Sequence, residues 1–346
     1  MNDRRVLVAM SGGVDSSLAA ALLLQQGYRV EGVTMKLTAG LCCDIGSAQA
    51  VCAHLGIPLR MIDMQREFQT NVIANFIEEY CSGRTPNPCI RCNDIIKFQH
   101  LLAYAVAEGF DLLATGHYAR IEPVGDPSFL CLKKGLDENK DQSYFLYRLT
   151  REQLGRILFP LGSMRKTEVR KLARDLKLPA AERPESQEIC FVPDNDYRAF
   201  LKEHAPDVLK CGEITMTDGT VVGRHDGVAF YTVGQRRGLG VSAGGRLYVV
   251  RIDRKNNRVV LGQRSELETG SMMVSQPCFT SPDELMLPLH VDVKVRYRST
   301  LQPAIIRPLP DGRIGVDFDN PVAGVTPGQS SVFYADDVVI GGGTIE

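Results

Sequence analysis

The 346-residue chain has no Trp, no excess of either charge and no long apolar run. Forty Lys plus Arg stand against 41 Asp plus Glu, so no global charge announces a polyanionic partner, and any nucleic-acid surface has to be local. No stretch approaches the roughly 20 apolar residues that cross a bilayer. The opening MNDRRVLVAM lacks the h-region of a secretory leader. Both absences lead us to expect a cytoplasmic protein with no membrane partner. Ten Cys in a chain this long do not make a disulfide scaffold. In a reducing compartment they are small core residues, metal ligands or reactive thiols. No internal repeat or low-complexity segment is visible.

What is present divides the chain by pattern. From residue 4 to about 120, the strand-like runs RVLVAM, YRVEGVTMKL, PLRMIDM and DLLATGHYAR alternate with helix-like runs at 15–26, 47–56, 66–82 and 93–108. Such alternation predicts an α/β fold, a doubly wound parallel sheet whose ligands bind at the carboxyl ends of the strands. Residues 147–178 read as helical and basic; the span 133–177 holds 12 Lys plus Arg against 6 Asp plus Glu, which is either a solvated helix face or a local electrostatic footprint for RNA. After about residue 205 long helices vanish, and TDGT, KNNR and PDGR punctuate short alternating runs as hairpin turns do. We expect a catalytic domain over 1–204, a small β domain over 205–270 and a C-terminal β-barrel over 271–346, with a break near SPDELMLP at 281–288.

The opening strand runs into Ala9-Met10-Ser11-Gly12-Gly13-Val14-Asp15-Ser16 and then a Leu/Ala-rich helix stopped at Gly27. Strand, glycine turn and helix N-terminus together make an anion site. Neither G-x-G-x-x-G nor G-K-[ST] is present, so the loop is neither Rossmann nor Walker. Its hydroxyls and backbone amides can hold a pyrophosphate, and Asp15 suits a Mg²⁺ bound to those phosphates. The loop resembles the PP-loop of the ATP pyrophosphatases, which implies cleavage of ATP between its α- and β-phosphates and adenylation of a substrate oxygen.

The second informative stretch is GRTPNPCIRCNDIIKF, 83–98. Pro88 suits the start of a helix that places Cys89 and Cys92 in its first turn, where the dipole favours thiolate. A lone C-x-x-C also fits a redox pair or half a zinc site, but no second C-x-x-C lies nearby. Cys190, in ESQEICF, is by itself either a buried or a reactive thiol. Cys42 and Cys43 are adjacent, an awkward spacing for a site, and Cys52, Cys81, Cys131, Cys211 and Cys278 read as core residues.

Taken with GLDENKDQSYFLY, TVGQRRGLG and VTPGQSSVFY, these segments resemble the bacterial tRNA-specific 2-thiouridylases of the MnmA type from one end of the chain to the other. The resemblance implies ATP on residues 9–16, with Met35 and Gly116 lining its pocket, and 2-thiouridine made at the wobble position of tRNAs for Lys, Glu and Gln. It implies that Cys190 carries persulfide sulfur and that Cys92 releases it, leaving a Cys92–Cys190 disulfide. It also implies RNA contacts at Asn87, Pro88, Cys89, His117, Lys140, Asp141, Gln142, Arg296, Tyr297 and Gln329. Many relatives carry Asp where this chain has Cys89. The extra thiol makes a second sulfur carrier conceivable, a [4Fe–4S] cluster on Cys89, Cys92 and Cys190, and slightly favours it. Donors would be a cysteine desulfurase or relay protein in the first case and free sulfide in the second. A monomer is expected. Two other readings stay open: another PP-loop adenylating ligase, and an RNA-binding protein regulated by nucleotide without turnover.

Overall fold

The computed structural model describes residues 3–38, 44–184, 189–206, 209–241, 245–280 and 288–346. Cys42, Cys43, the ESQE half of ESQEICF and residues 281–287 of the expected break lie outside them. The chain forms two compact units. The first takes residues 1–72, 89–193 and 337–339; the second takes 73–88, 194–336 and 340–346.

The first unit is built on a five-stranded sheet of order β3-β2-β1-β4-β7, all neighbours parallel. Its strands are β1 (Arg5–Ala9), β2 (Arg29–Lys36), β3 (Leu59–Asp63), β4 (Leu112–Ala114) and β7 (Ile157–Leu158). Val6, Leu7 and Val8 are wholly buried, as a central strand covered on both faces requires. The order reverses between β1 and β4, so the crevice for a ligand opens beyond Ala9 and Ala114. Helix α1 (Val14–Gln25) is apolar nearly all round because it is packed on two sides. Ala20 and Leu23 join the sheet core, while Leu18 and Ala21 meet Val169 and Ala173 of the helix Lys166–Asp175. Helix α2 is Ile45–Leu55. The antiparallel pair β5 (Ala119–Val124) and β6 (Asp126–Lys134) leaves the sheet.

Two expectations need correction. The stretch 147–178 is not continuous helix: Ile157 and Leu158 pair with Leu113 and Ala114 and add an edge strand, and Pro160 ends it. The helices expected at 66–82 and 93–108 contain π turns, Gln69–Ile73 and Cys92–Leu101, a geometry that often marks functional sites.

The second unit is mostly β. β8 (Gly212–Met216), β9 (Val221–His225), β10 (Tyr248–Asp253) and β11 (Arg258–Gly262) form a sheet of order β10-β11-β8-β9. TDGT and KNNR are its two hairpin turns, with Gly219 at φ +89° and Asn257 at +51°. β12 (Glu268–Phe279), β13 (Leu289–Lys294), β14 (Gln302–Pro308), β15 (Ile314–Ala323), β16 (Ser330–Ala335) and β17 (Val338–Ile345) follow in the order β12-β15-β14-β13-β16-β17. β12 pairs back to β17, which closes a barrel and leaves these strands no free edge. Val274, Val293, Ile306, Val316 and Phe333 fill it. Among the described residues no helix is long and apolar enough to cross a membrane.

Candidate functional site

The loop between β1 and α1 is held by its own atoms. Met10 N–H donates to Val33 O at 2.7 Å. Gly12 lies at φ +78°, and a Cβ there would stand 2.9 Å from Asp44 O, so the turn admits no side chain. Ser17 Oγ donates to Gly13 O at 2.8 Å and Ser16 Oγ at 3.1 Å, while Ser11 N–H donates to Ser16 Oγ at 3.3 Å. No side chain caps the first turn of α1, which leaves its amides available to an anion. Gly116, after β4, completes the wall: a Cβ on it would stand 2.8 Å from the backbone of Asp15 and Ser16. Met35, near the end of β2, and Val14 are buried at the same end of the sheet.

Lys166, Tyr118, Arg183 and Asp44, which the sequence did not single out, lock this loop. Lys166 Nζ meets both oxygens of Asp15, at 2.7 and 2.8 Å, and Tyr118 Oη donates to Asp15 Oδ1 at 2.6 Å. Gln142 holds Tyr118 from both sides, accepting from Tyr118 N–H at 3.0 Å and donating its own N–H to Tyr118 O at 2.8 Å. Arg183 donates to Gly12 O at 3.0 Å and to Asp44 Oδ2 at 2.6 Å. Asp44 also caps α2; the Ser47 amide and hydroxyl, with Arg183 behind them, hold its carboxyl down at about 2. Two signals were present in the sequence. Lys166, Val169 and Ala173 follow an i, i+3, i+7 stripe on the buried face of their helix, and Asp44-x-x-Ser47 is a helix start.

Asp15 does not fit the magnesium expected of it, since both its oxygens are taken by an ammonium and one also by a phenol. The cluster fares no better. Among the described residues no three or more His, Cys, Asp or Glu side chains gather closely enough to hold a metal ion.

The thiols lie in the same unit. Pro88–Arg91 forms the helical turn that begins where expected, and the π turn starts at Cys92. Cys89 and Cys190 are exposed, Cys92 is half-buried, and none of the three is in a disulfide. The lowered thiol expected at the helix start is not found at Cys89. Crowding by protein pushes its thiol up, the neighbouring Cys190 pushes it further, and Lys97 draws it down. Cys89 and Cys190 are thus close enough to repel as thiolates. Lys97 is held by Asn93 Oδ1 at 2.9 Å. It also faces His117, whose Nδ1 lies 2.7 Å from Thr115 Oγ1 and whose ring packs on Phe98 and Phe159. Burial first and Lys97 second keep His117 well below its ordinary titration range.

Several residues expected to meet RNA spend their side chains on the fold. Asp141 is 5% exposed and accepts from Gly135 N–H, Ser143 N–H and Ser143 Oγ at 2.9–3.0 Å. Arg296 donates to Val233 O at 2.8 Å and bonds Thr326 Oγ1. Gln329 donates to Thr85 O at 2.9 Å and Pro86 O at 3.2 Å, fixing the loop that carries Asn87. Lys140, Asn87 and Tyr297 are half-buried, and Pro88 is buried. The basic stretch 133–177 is likewise partly spent within the protein: Arg148 on Asp94, Lys166 on Asp15, Arg174 on Glu182, and Arg170 on the carbonyls of Ala181 and Arg183.

Residues 4–194 match the family model "tRNA methyl transferase HUP domain", 198–263 its PRC-barrel domain and 269–345 an aminomethyltransferase β-barrel domain. The tRNA-specific 2-thiouridylase MnmA of Acetivibrio thermocellus is 46% identical over 100% of both chains. MnmA 1 of Thermoanaerobacter pseudethanolicus is 48% identical over 99% of this chain and 98% of its own. Among solved structures, a predicted tRNA methyltransferase subunit from Methanocaldococcus jannaschii matches at TM-score 0.33 and 22% identity, covering 50% of this chain and 76% of its own. A 4-thiouridine synthetase–RNA complex with bound ATP matches at TM-score 0.34 and 18% identity, covering 59% and 51%. With nearly half its residues identical to such relatives along its whole length, the chain belongs to the MnmA family of tRNA-specific 2-thiouridylases.

Proposed function

We propose that the chain is an ATP-dependent tRNA sulfurtransferase that converts the C2 oxygen of the wobble uridine to sulfur. The observation that carries the reading is the end-to-end identity to proteins of that name, beside which one folded unit holds both an uncapped helix start after the glycine loop and two exposed cysteines. The matching family model speaks of methyl transfer. Methyl transfer from a sulfonium donor needs no ATP-cleaving loop of this kind.

The chemistry asks for both the loop and the thiols. A uracil oxygen leaves only when activated. Attack of O2 on the α-phosphorus of ATP releases diphosphate and leaves an O-adenylated base. The outer sulfur of a Cys190 persulfide then forms the C–S bond at C2 as AMP departs. The Cys92 thiolate breaks the S–S bond, leaving C2=S and a Cys92–Cys190 disulfide that a cellular thiol reduces. The nucleotide loop, residues 9–16 with Met35 and Gly116, binds ATP, whose phosphates carry the Mg²⁺. The base has to leave its stack to be reached, and Asn87, Pro88, Cys89, His117, Lys140, Gln142, Arg296, Tyr297 and Gln329 line the RNA's path, several of them by shaping the protein surface. Substrates are tRNAs for Lys, Glu and Gln; the donor is a cysteine desulfurase or relay protein; the enzyme works in the cytoplasm as a monomer. The working domains are 1–204, 205–270 and 271–346.

The test is an air-free incubation with unmodified tRNA, ATP, Mg²⁺ and a sulfur source, followed by mass spectrometry of digested RNA for 2-thiouridine. Product that requires a desulfurase and ignores Cys89→Ala supports the persulfide relay. Product from sulfide alone that vanishes in Cys89→Ala favours the three-thiol carrier. No product under either condition overturns the reading.

A further inference from the structure

Asp15 is the single acid of the nucleotide loop, and its partner is unusual. Lys166 is 7% exposed, and its ammonium is bound by both Asp15 oxygens at 2.7 and 2.8 Å. Tyr118 braces the pair: its hydroxyl donates to Asp15 Oδ1 at 2.6 Å, and Lys166 Nζ lies 5.5 Å from the centre of its ring. The lysine's backbone is fixed as well. Lys166 N–H donates to Asp137 Oδ2 at 2.9 Å, and Val169 and Ala173 on the same helix face are wholly buried.

We propose that Lys166 is the fixed cation of the nucleotide loop, and that Asp15 positions it rather than coordinating magnesium. This rests on the ATP reading above. A bare carboxylate beside a phosphate cradle would repel a triphosphate; a bidentate ammonium cancels that charge before the nucleotide arrives. For a metal ion to reach Asp15 it would have to displace two charge-assisted bonds and a phenol, and strand a buried ammonium. Mg²⁺ binds readily through substrate phosphates and water, with few protein ligands. The metal of MgATP is therefore carried by the phosphates, and the protein contributes Lys166.

The test is calorimetric binding of α,β-methylene-ATP to the full-length protein across a Mg²⁺ titration. Lys166→Met and Asp15→Asn should each weaken binding by about tenfold or more. The double variant should be within about twofold of either single one, because the two act as one unit. The Mg²⁺ concentration at half-binding should be unchanged in Asp15→Asn. Lys166→Arg, which keeps the charge and guards against misfolding of the Met variant, should bind better than Lys166→Met. A raised Mg²⁺ midpoint in Asp15→Asn, or losses that multiply in the double variant, would overturn the proposal. If the unmodified protein fails to bind the analogue at any Mg²⁺ concentration, the ATP reading itself fails.

Discussion

The nucleotide loop and the thiol segment lie in one unit and are built by opposite means. Around the loop almost every polar side chain is already committed: Ser16 and Ser17 to Gly13, Asp15 to Lys166 and Tyr118, and Arg183 to Gly12 and Asp44. Around the thiols, two of the three cysteines are exposed, and the lysine that draws the Cys89 thiol down, Lys97, is itself held by a neutral amide. A triphosphate is bound as it is, so a preformed cradle lowers the cost of binding it. Sulfur has to be received, delivered and released, and each step needs a thiol that another molecule can reach.

The comparison is broken most severely by variants that should hit one region alone. Cys190→Ser should reduce 2-thiouridine formation by about a thousandfold or more, as loss of a covalent carrier does, while ATP-analogue affinity stays within about twofold of the unmodified protein. Both are read on the same preparation by mass spectrometry and calorimetry. Equal loss in both would mean that the two regions are not separable. Gly116→Ala is the converse. Its Cβ would stand 2.8 Å from the backbone of Asp15 and Ser16, where nothing flexible can yield. Nucleotide affinity should drop by about tenfold to a hundredfold, while the rate at which iodoacetamide labels Cys89 stays as it was.

A milder break is Arg183→Gln. Its guanidinium ties Gly12 O to Asp44, at an exposed position where ion pairs contribute little. We expect about a threefold to tenfold loss of ATP-analogue affinity. Because the Asp44 carboxyl is held at about 2, its attachment to Ser47 and Arg183 is fully present above the ordinary carboxylate range and is lost only as pH falls toward 2. Affinity in the unmodified protein should therefore be flat on this account from pH 8 down to about 4.

What the sequence made legible follows the same division. The parallel sheet, the glycine loop and the hairpins of the second unit were readable because each is local: an apolar run, two adjacent glycines, an Asp-Gly turn. Ile157–Leu158 was missed because two residues between basic helical stretches have no period, and only β4 makes them a strand. Lys166 and Asp15 are 151 positions apart and Arg183 and Asp44 139, so nothing local announces either pair. The RNA expectations at Asp141 and Arg296 came from motifs, and a motif cannot tell a side chain that meets a ligand from one that shapes the surface meeting it. The expected lowering of the Cys89 thiol assumed the helix dipole would dominate, but an α-helical turn of only four residues, crowded by protein and set beside a second thiol, is ruled by desolvation.

The smallest expected effect lies where the two regions meet. Lys97 acts on both, drawing the Cys89 thiol down and, after burial, holding His117 below its ordinary range. Lys97→Met removes one positive charge, and both groups should titrate higher. The Cys89 thiolate becomes scarcer, so its iodoacetamide labelling at pH 8 should slow by about twofold to fivefold and its pH profile should move upward. The imidazolium becomes less costly. A histidine whose folded value is depressed gives stability that is present above its unfolded value, near 6.5, and is lost as pH falls toward the folded value. Raising that folded value shortens the window, so on acidification below about 6.5 the melting temperature of Lys97→Met should flatten at a higher pH than that of the unmodified protein. His225, also depressed by burial, is the same in both proteins and cancels from the difference. Slower labelling without the earlier flattening would place Lys97 with the thiols alone. The two changes together would make it a charge shared by the Cys89 thiol and by His117, the neighbour of Gly116.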